Sequence, residues 1–214
     1  MYKKIDSLKS KNILICITGS IAAYKSCDVI RCLVKEGANV QVMMSESAQR
    51  FIGIATIAAL TKHEVLTGLF PDHPKPGLEH INLAFELDGI VILPATANIL
   101  AKVASGIADE IISTTLSICE QPTLFVPAMN FKMWQNKAII DSVKTLKENG
   151  KNVMNPDTGY LASLHKGEGR LPQLNNIMNE IRNLFDIHLP FKNKRVLVTA
   201  GPTQEPIDPV RYLS

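Results

Sequence analysis

Five short stretches of this 214-residue chain hold side chains that could bind or transform a small molecule. Thr18-Gly19-Ser20-Ile21 joins a glycine, which lets backbone approach a ligand closely, to a hydroxyl able to cap a helix or bind a phosphate. No GxGxxG accompanies it, so a mononucleotide suits the motif better than a dinucleotide. Ser45-Glu46-Ser47 is a second hydroxyl-bearing turn, and equally a plain helix cap. In Pro94-Ala95-Thr96-Ala97-Asn98 small residues flank a threonine and an asparagine, an arrangement open to a flat hydrogen-bonding ring or to a capped helix start. Pro127-Ala128-Met129-Asn130, with Met133 and Trp134 after it, offers a carboxamide that can pair with a carboxylate; methionine is also ordinary core filler. The fifth stretch, residues 155–170 (NPDTGYLASLHKGEGR), sets three glycines and four charged side chains around Ser163.

One histidine joins these candidates. His80 opens a helical pattern (HINLAF) just after a proline-rich loop, where an imidazole can act as acid, base or orienting group, or simply cap and pack. His63, His73, His165 and His188 have no comparable setting.

The elements that must position these groups read as an alternation. Apolar β-rich runs at 12–18, 39–44, 89–93, 123–126, 151–154 and 195–199 predict six strands, most of them apolar on both faces. Helical patterns cover 21–36 with Gly37 as its stop, 47–60 broken at Gly53, 97–105, 109–120 with Asp109 as cap, 131–149 with Gly150 as its stop, and 174–185. Strands alternating with helices imply right-handed βαβ units. The expected class is α/β: a doubly wound, mostly parallel six-stranded sheet of flavodoxin-like or Rossmann-like type with helices on both faces. In such sheets ligands bind beyond the carboxyl ends of strands, where four of the five stretches fall.

Composition narrows the function classes. Hydrophobic content of 46% with 20% charged residues is ordinary for a globular chain, and a formal charge of +3 is too small to imply nucleic acid. No run approaches the ~18 apolar residues of a membrane-spanning helix, and the lysine-rich first eleven residues are unlike a signal peptide. Cys16, Cys27, Cys32 and Cys119 lack CxxC spacing and read as reduced, buried thiols of a cytoplasmic protein, with no metal site.

Taken together, TGSIAAYK (18–25), HINLA (80–84), PATAN (94–98) with AKVASGIADE (101–110), PAMNFKMW (127–134) and GYLAS…GEGR (159–170) resemble the homo-oligomeric flavin-containing cysteine decarboxylases, in the family's order and spacing. The likeness covers roughly residues 11–186. AGPTQEPIDPVRYLS (200–214) resembles the opening of phosphopantothenoylcysteine synthetase, the domain that follows the decarboxylase in the fused bacterial coenzyme A enzyme. The expected organisation is a decarboxylase domain over 1–187, a linker over 188–193 and a synthetase start, cut short, over 194–214.

The resemblance implies FMN as cofactor and 4'-phosphopantothenoylcysteine as substrate. It places Gly19, Ser20, Ile21, Ser45, Ser47, Phe51, Thr96, Ala97 and Asn98 around FMN, with Met129 closing the flavin pocket. His80 matches the catalytic histidine, and Asn130 the asparagine that grips the cysteine carboxylate. Met133, Gly159 and Ala162 stand with Asn130 on the substrate side, and 159–170 matches a flap that closes over it, its glycines serving as hinges. The resemblance also implies homo-oligomers: trimers, often assembled into dodecamers. One position departs from the pattern. Where the family's flap reads Gly-x-x-Ala-Cys-Gly, this chain has Ser163, an alkanol in place of the thiol reckoned to donate the last proton. Proton delivery then runs through Ser163 and water, or through a group such as His165.

Overall fold

A strand buried on both faces must be apolar at every position, and β1 (Asn12–Ile17, NILICI) shows why. Successive side chains point to opposite faces, so Ile13, Ile15 and Ile17 enter one core while Leu14 and Cys16 enter the other. The computed structural model describes residues 8–69 and 85–185, with Leu197, 205–206, 208 and 210–213 from the tail. His80, the 188–193 linker and all of the 195–199 run except Leu197 lie outside the described residues.

Six parallel strands form the central sheet in the order β3-β2-β1-β4-β5-β6. They are β1, β2 (Asn39–Met44), β3 (Val65–Leu66), β4 (Gly89–Ala95), β5 (Thr123–Pro127) and β6 (Asn152–Val153). The expected class holds, and the sheet includes a strand that the sequence pattern did not show, Val65–Leu66, paired to Val42 and Met43. The order reverses between β1 and β4, so their carboxyl ends open a crevice at the switch point.

The helices cover both faces. One core joins β1 to α1 (Ser26–Lys35), α2 (Ile54–Thr61) and α7 (Leu174–Phe185) through Val29, Ile30, Leu33, Ile57, Ile177 and Ile181. The opposite core takes Ile99 and Leu100 of α3 (Ala97–Ala104), Ile112 and Leu116 of α4 (Ile111–Ile118) and Ile139 and Leu146 of α6 (Lys137–Glu148). Across the first core, Arg182 of α7 forks onto both carboxylate oxygens of Glu36, at 3.1 and 2.5 Å, clamping α7 to the end of α1. No helix among the described residues is long and apolar enough to cross a membrane.

Several expected helices are subdivided, each for a local reason. The 21–36 pattern opens as a 3-10 turn (Ile21–Lys25) before α1, and Gly37 closes it at φ 84° with Ala38 N–H donating back to the Leu33 carbonyl. The 47–60 pattern is a 3-10 turn (Ala48–Arg50) and then α2. The 131–149 pattern breaks into α5 (Phe131–Trp134) and α6, because the Asn136 carboxamide accepts from Ala138 N–H and starts a new helix. Glu110, not Asp109, is the cap residue of α4; Asp109 instead pairs with Lys102 at 2.7 Å.

Residues 155–170 are not a plain loop. β7 (Asp157–Tyr160) and β8 (Lys166–Arg170) form an antiparallel hairpin separate from the main sheet. Its tip turns at 161–165, where Leu161 N–H donates to the His165 carbonyl and Leu164 takes φ 61°. In the tail, β9 (Glu205–Pro206) pairs with β10 (Tyr212–Leu213).

Candidate active site

Two neighbouring clefts open at the carboxyl ends of the strands, and both are walled by Ser20, Ala128 and Met129. The first, about 310 Å³, gathers Gly19, Ser45, Ser47, Thr96, Asn98 and Met133 from four different turns. The second, about 680 Å³, is lined by Ile21, Asn130, Ala162 and Ser163 with Tyr24, Lys25, Tyr160 and Arg170. Thus the strand-end motifs, far apart in the chain, converge, and the hairpin supplies one wall of the second cleft.

The first cleft is built by hydroxyls that tie turns together. Thr18 Oγ1 donates to the Pro94 carbonyl at 2.7 Å and accepts from Thr96 N–H at 3.2 Å, fastening the end of β1 to the end of β4. Thr96 caps α3 by accepting from Ile99 N–H. Ser20 caps the 3-10 turn through Ala22 N–H, and Ser45 accepts from Ala48 N–H while its hydroxyl lies 3.1 Å from that of Ser47. Ser47 itself caps nothing. Gly19 is required for space: a Cβ there would strike the Ser47 hydroxyl inside contact distance. Replacing Thr18 by valine strands a buried carbonyl and an amide N–H, so we expect about 1–3 kcal/mol of lost stability in denaturant melts. A loss near zero would show that the tie is not needed.

Asn130 stands where β5 hands over to α5. Its Oδ1 accepts from Lys132 N–H at 2.9 Å and caps the helix, which leaves Nδ2–H₂ unpaired among the described residues and free to donate into the second cleft. β8 docks against this loop: Met129 N–H donates to the Gly169 carbonyl at 3.0 Å. The hairpin glycines serve that docking. A Cβ on Gly167 would meet Phe131 at 2.6 Å, one on Gly169 would strike the Met129 carbonyl, and none of the three hairpin glycines has positive φ. Close packing against the 129–131 loop accounts for Gly167 and Gly169.

Three expected residues stand apart from both clefts. The Phe51 ring is half exposed, Ala97 is buried in the first turn of α3, and Gly159 faces Arg170 across the hairpin. Polar residues given no role from the sequence also line the clefts: Thr18 and Glu110 in the first, and Tyr24, Lys25, Tyr160 and Arg170 in the second. Glu110 lies at the end of AKVASGIADE, where a carboxylate beside a helix start was the available signal. Burial raises its pKa above the ordinary carboxylate value, against a lowering by Lys102. Burial also pushes the thiols of Cys16, Cys27 and Cys119 up, which makes them weaker acids and poor proton donors.

Comparison with known proteins bears on the same residues. The sequence matches the Flavoprotein family over residues 1–186 and the DNA/pantothenate metabolism flavoprotein C-terminal domain over 191–214. It is 41% identical over 209 residues to the coenzyme A biosynthesis bifunctional protein CoaBC of Bacillus subtilis (strain 168), covering 97% of this chain and 52% of that protein. The chain therefore spans about half the length of the curated relatives it matches. Among solved structures, the FMN-dependent cysteine decarboxylase SpaF is 29% identical with a TM-score of 0.72, over 83% of this chain and 97% of that one. A cysteine-to-serine mutant of PPC decarboxylase, complexed with pantothenoylaminoethenethiol, is 26% identical with a TM-score of 0.74, over 84% of this chain and all of the other. The match across 1–186 covers the whole sheet and both clefts, and the chain belongs to the Flavoprotein family.

Proposed function

We propose that this chain binds FMN and decarboxylates 4'-phosphopantothenoylcysteine to 4'-phosphopantetheine, the decarboxylase step of coenzyme A synthesis. The observation that carries the reading is the convergence of the Gly19, Ser45, Thr96 and Asn130 turns on two adjoining clefts. The donor set fits FMN: serine and threonine hydroxyls with the Asn98 amide suit a phosphate and a polyhydroxyl chain, and Gly19 keeps the cradle open. Gly19, Ser20, Ser45, Ser47, Thr96 and Asn98 would hold the cofactor, with Met129 and Ile21 beside it.

Removing CO2 from an acylated cysteine leaves charge on carbon with no acceptor; FMN would supply the two-electron oxidation at the thiol-bearing carbon that creates one and, once reduced, the same two electrons to turn the ene-thiol into the saturated thiol. The protein's part is placement. His80 takes the thiol proton, a task suited to a group that titrates near neutrality. Asn130 donates its free amide hydrogens to the carboxylate, an uncharged contact that does not hold back departing CO2. Met133 and Ala162 flank the substrate, and the hairpin keeps water from the reactive carbon. Ser163, at the hairpin tip, relays the last proton through water or leaves it to His165.

The chain acts in the cytoplasm as a homo-oligomer, a trimer or a dodecamer assembled from four trimers. Exposed Ile21 and Tyr24 beside the second cleft are apolar surface that another copy would cover. A second reading is favoured by Ser163 alone: the reaction stops at an ene-thiol, as a peptidyl-cysteine decarboxylase would leave it.

Mass spectrometry of the product separates the two. We expect a yellow protein whose product is the saturated thiol, formed faster by Ser163→Cys because a thiol of pKa ~8.5 is a far stronger acid than an alkanol. An ene-thiol that accumulates one per flavin establishes the second reading. A colourless protein that binds no added flavin removes both.

A further inference from the structure

We propose that Glu110 makes cofactor retention depend on pH by setting a carboxylate against the phosphate of FMN. The inference rests on the FMN reading and goes beyond it to the regulation of that site. Among the described residues lining the first cleft, Glu110 is the one whose side chain can carry a charge; the polar remainder is Thr18, Ser20, Ser45, Ser47, Thr96 and Asn98. The cations nearby, Lys25 and Arg170, line the second cleft instead.

Glu110 is held at the start of α4 by a capping box, in which its side chain accepts from Ser113 N–H. Glu110 N–H donates to Ser113 Oγ at 3.3 Å, Ser113 Oγ donates to the Glu110 carbonyl at 3.2 Å, and Thr114 N–H donates to the same carbonyl. These bonds fix the start of α4 and stop the residue from swinging away with its loop. No ion pair forms to Glu110 among the described residues. Lys102, on α3, is committed to Asp109 at 2.7 Å, so it offsets the Glu110 charge only in part, while Asp109 adds to it. Cys16, reaching the same region from β1, is fully buried and stays neutral.

An anion entering this cleft meets hydroxyls and one half-buried carboxylate. The repulsion acts across a cavity only a few side chains wide, where charges are poorly screened. Burial already favours the protonated acid, and a bound phosphate favours it further. Binding therefore takes up a proton. A group whose pKa is higher in the bound state favours binding fully below its free pKa, and that advantage is lost as pH rises through the bound pKa. Riboflavin, which has the same ring and ribityl chain without the phosphate, escapes the effect.

The test is equilibrium binding of FMN and of riboflavin to flavin-stripped protein, read by flavin fluorescence quenching between about pH 5 and about pH 8.5. The wild-type FMN affinity falls with pH more steeply than that of Glu110→Gln, and at the alkaline end the variant binds FMN about tenfold tighter. Riboflavin affinities stay within about twofold of each other across variants and pH. Glu110→Asp, which keeps the charge, keeps the wild-type slope. The second ionisation of free FMN phosphate, at pKa about 6, is common to all three proteins, so a difference in slope between them reports the residue at position 110. Parallel FMN curves for wild type and Glu110→Gln overturn the proposal while leaving FMN binding intact. So does an equal weakening of both flavins in Glu110→Gln, which would make Glu110 an acceptor for the ring or ribityl hydroxyls. Failure of wild-type protein to bind either flavin overturns the cofactor reading together with this one.

Discussion

Replacing Asn130 by aspartate lowers kcat/KM for 4'-phosphopantothenoylcysteine by about a hundredfold to a thousandfold while the fold survives. The two halves of that expectation have separate causes. Asn130 Oδ1 caps α5 by accepting from Lys132 N–H at 2.9 Å, and a carboxylate oxygen caps at least as well, so stability is kept. The other half of the carboxamide changes from a donor to an acceptor carrying charge, facing the cleft proposed to take the substrate carboxylate. Like charges brought together away from bulk water cost several kcal/mol, enough to oppose binding and turnover alike. Asn130→Ala, which removes the donor without adding charge, loses less activity and more stability. Steady-state kinetics and thermal melts on the two variants measure both effects. Activity of Asn130→Asp within about threefold of wild type would remove Asn130 from carboxylate recognition.

The features legible from sequence were those whose chemistry is local. β1 reads as a doubly buried strand because NILICI has no polar position after its first residue. Gly37 reads as a helix stop because its φ of 84° suits only a residue without Cβ. The strand-end turns at Ser20, Ser45, Thr96 and Asn130 were visible because each carries a capping side chain, and the cap is also what aims the turn at the clefts. What escaped depends on partners distant in the chain. Val65–Leu66 is too short for any periodicity and is a strand only because Val42 and Met43 offer it a free edge. The 157–170 hairpin is rich in residues that disfavour strands, and its glycines are explained by Phe131 and Met129, which no local pattern reveals. Glu110 was hidden for a similar reason: its place at the first cleft depends on the fold bringing the start of α4 beside the Gly19, Ser45 and Thr96 turns.

Gly169→Ala should be the most damaging single methyl in the hairpin, and the reason is space. Gly169 is buried where β8 crosses the loop carrying Met129 and Asn130, with its carbonyl accepting from Met129 N–H. An added Cβ would collide with the Met129 carbonyl oxygen and crowd Phe131 N at 3.1 Å. Both obstacles are backbone, so no rotamer change relieves them. Either β8 lifts off or the 129–130 loop retreats, and overpacking of this kind costs about 1–3 kcal/mol. In a chain of this size that lowers Tm by roughly 2–12 °C. The functional loss is expected to exceed the stability loss, because the displaced loop holds the carboxamide proposed to meet the substrate, and such contacts tolerate little displacement. Gly159→Ala is the control. Its Cβ would meet the Arg170 side chain, Cδ at 3.1 Å, and a flexible arginine can move aside. Melts and KM values for the pair therefore separate the loss of a glycine from the loss of a docking surface. If Gly169→Ala is as stable and active as Gly159→Ala, β8 does not position Asn130, and the hairpin acts on the substrate through its tip alone.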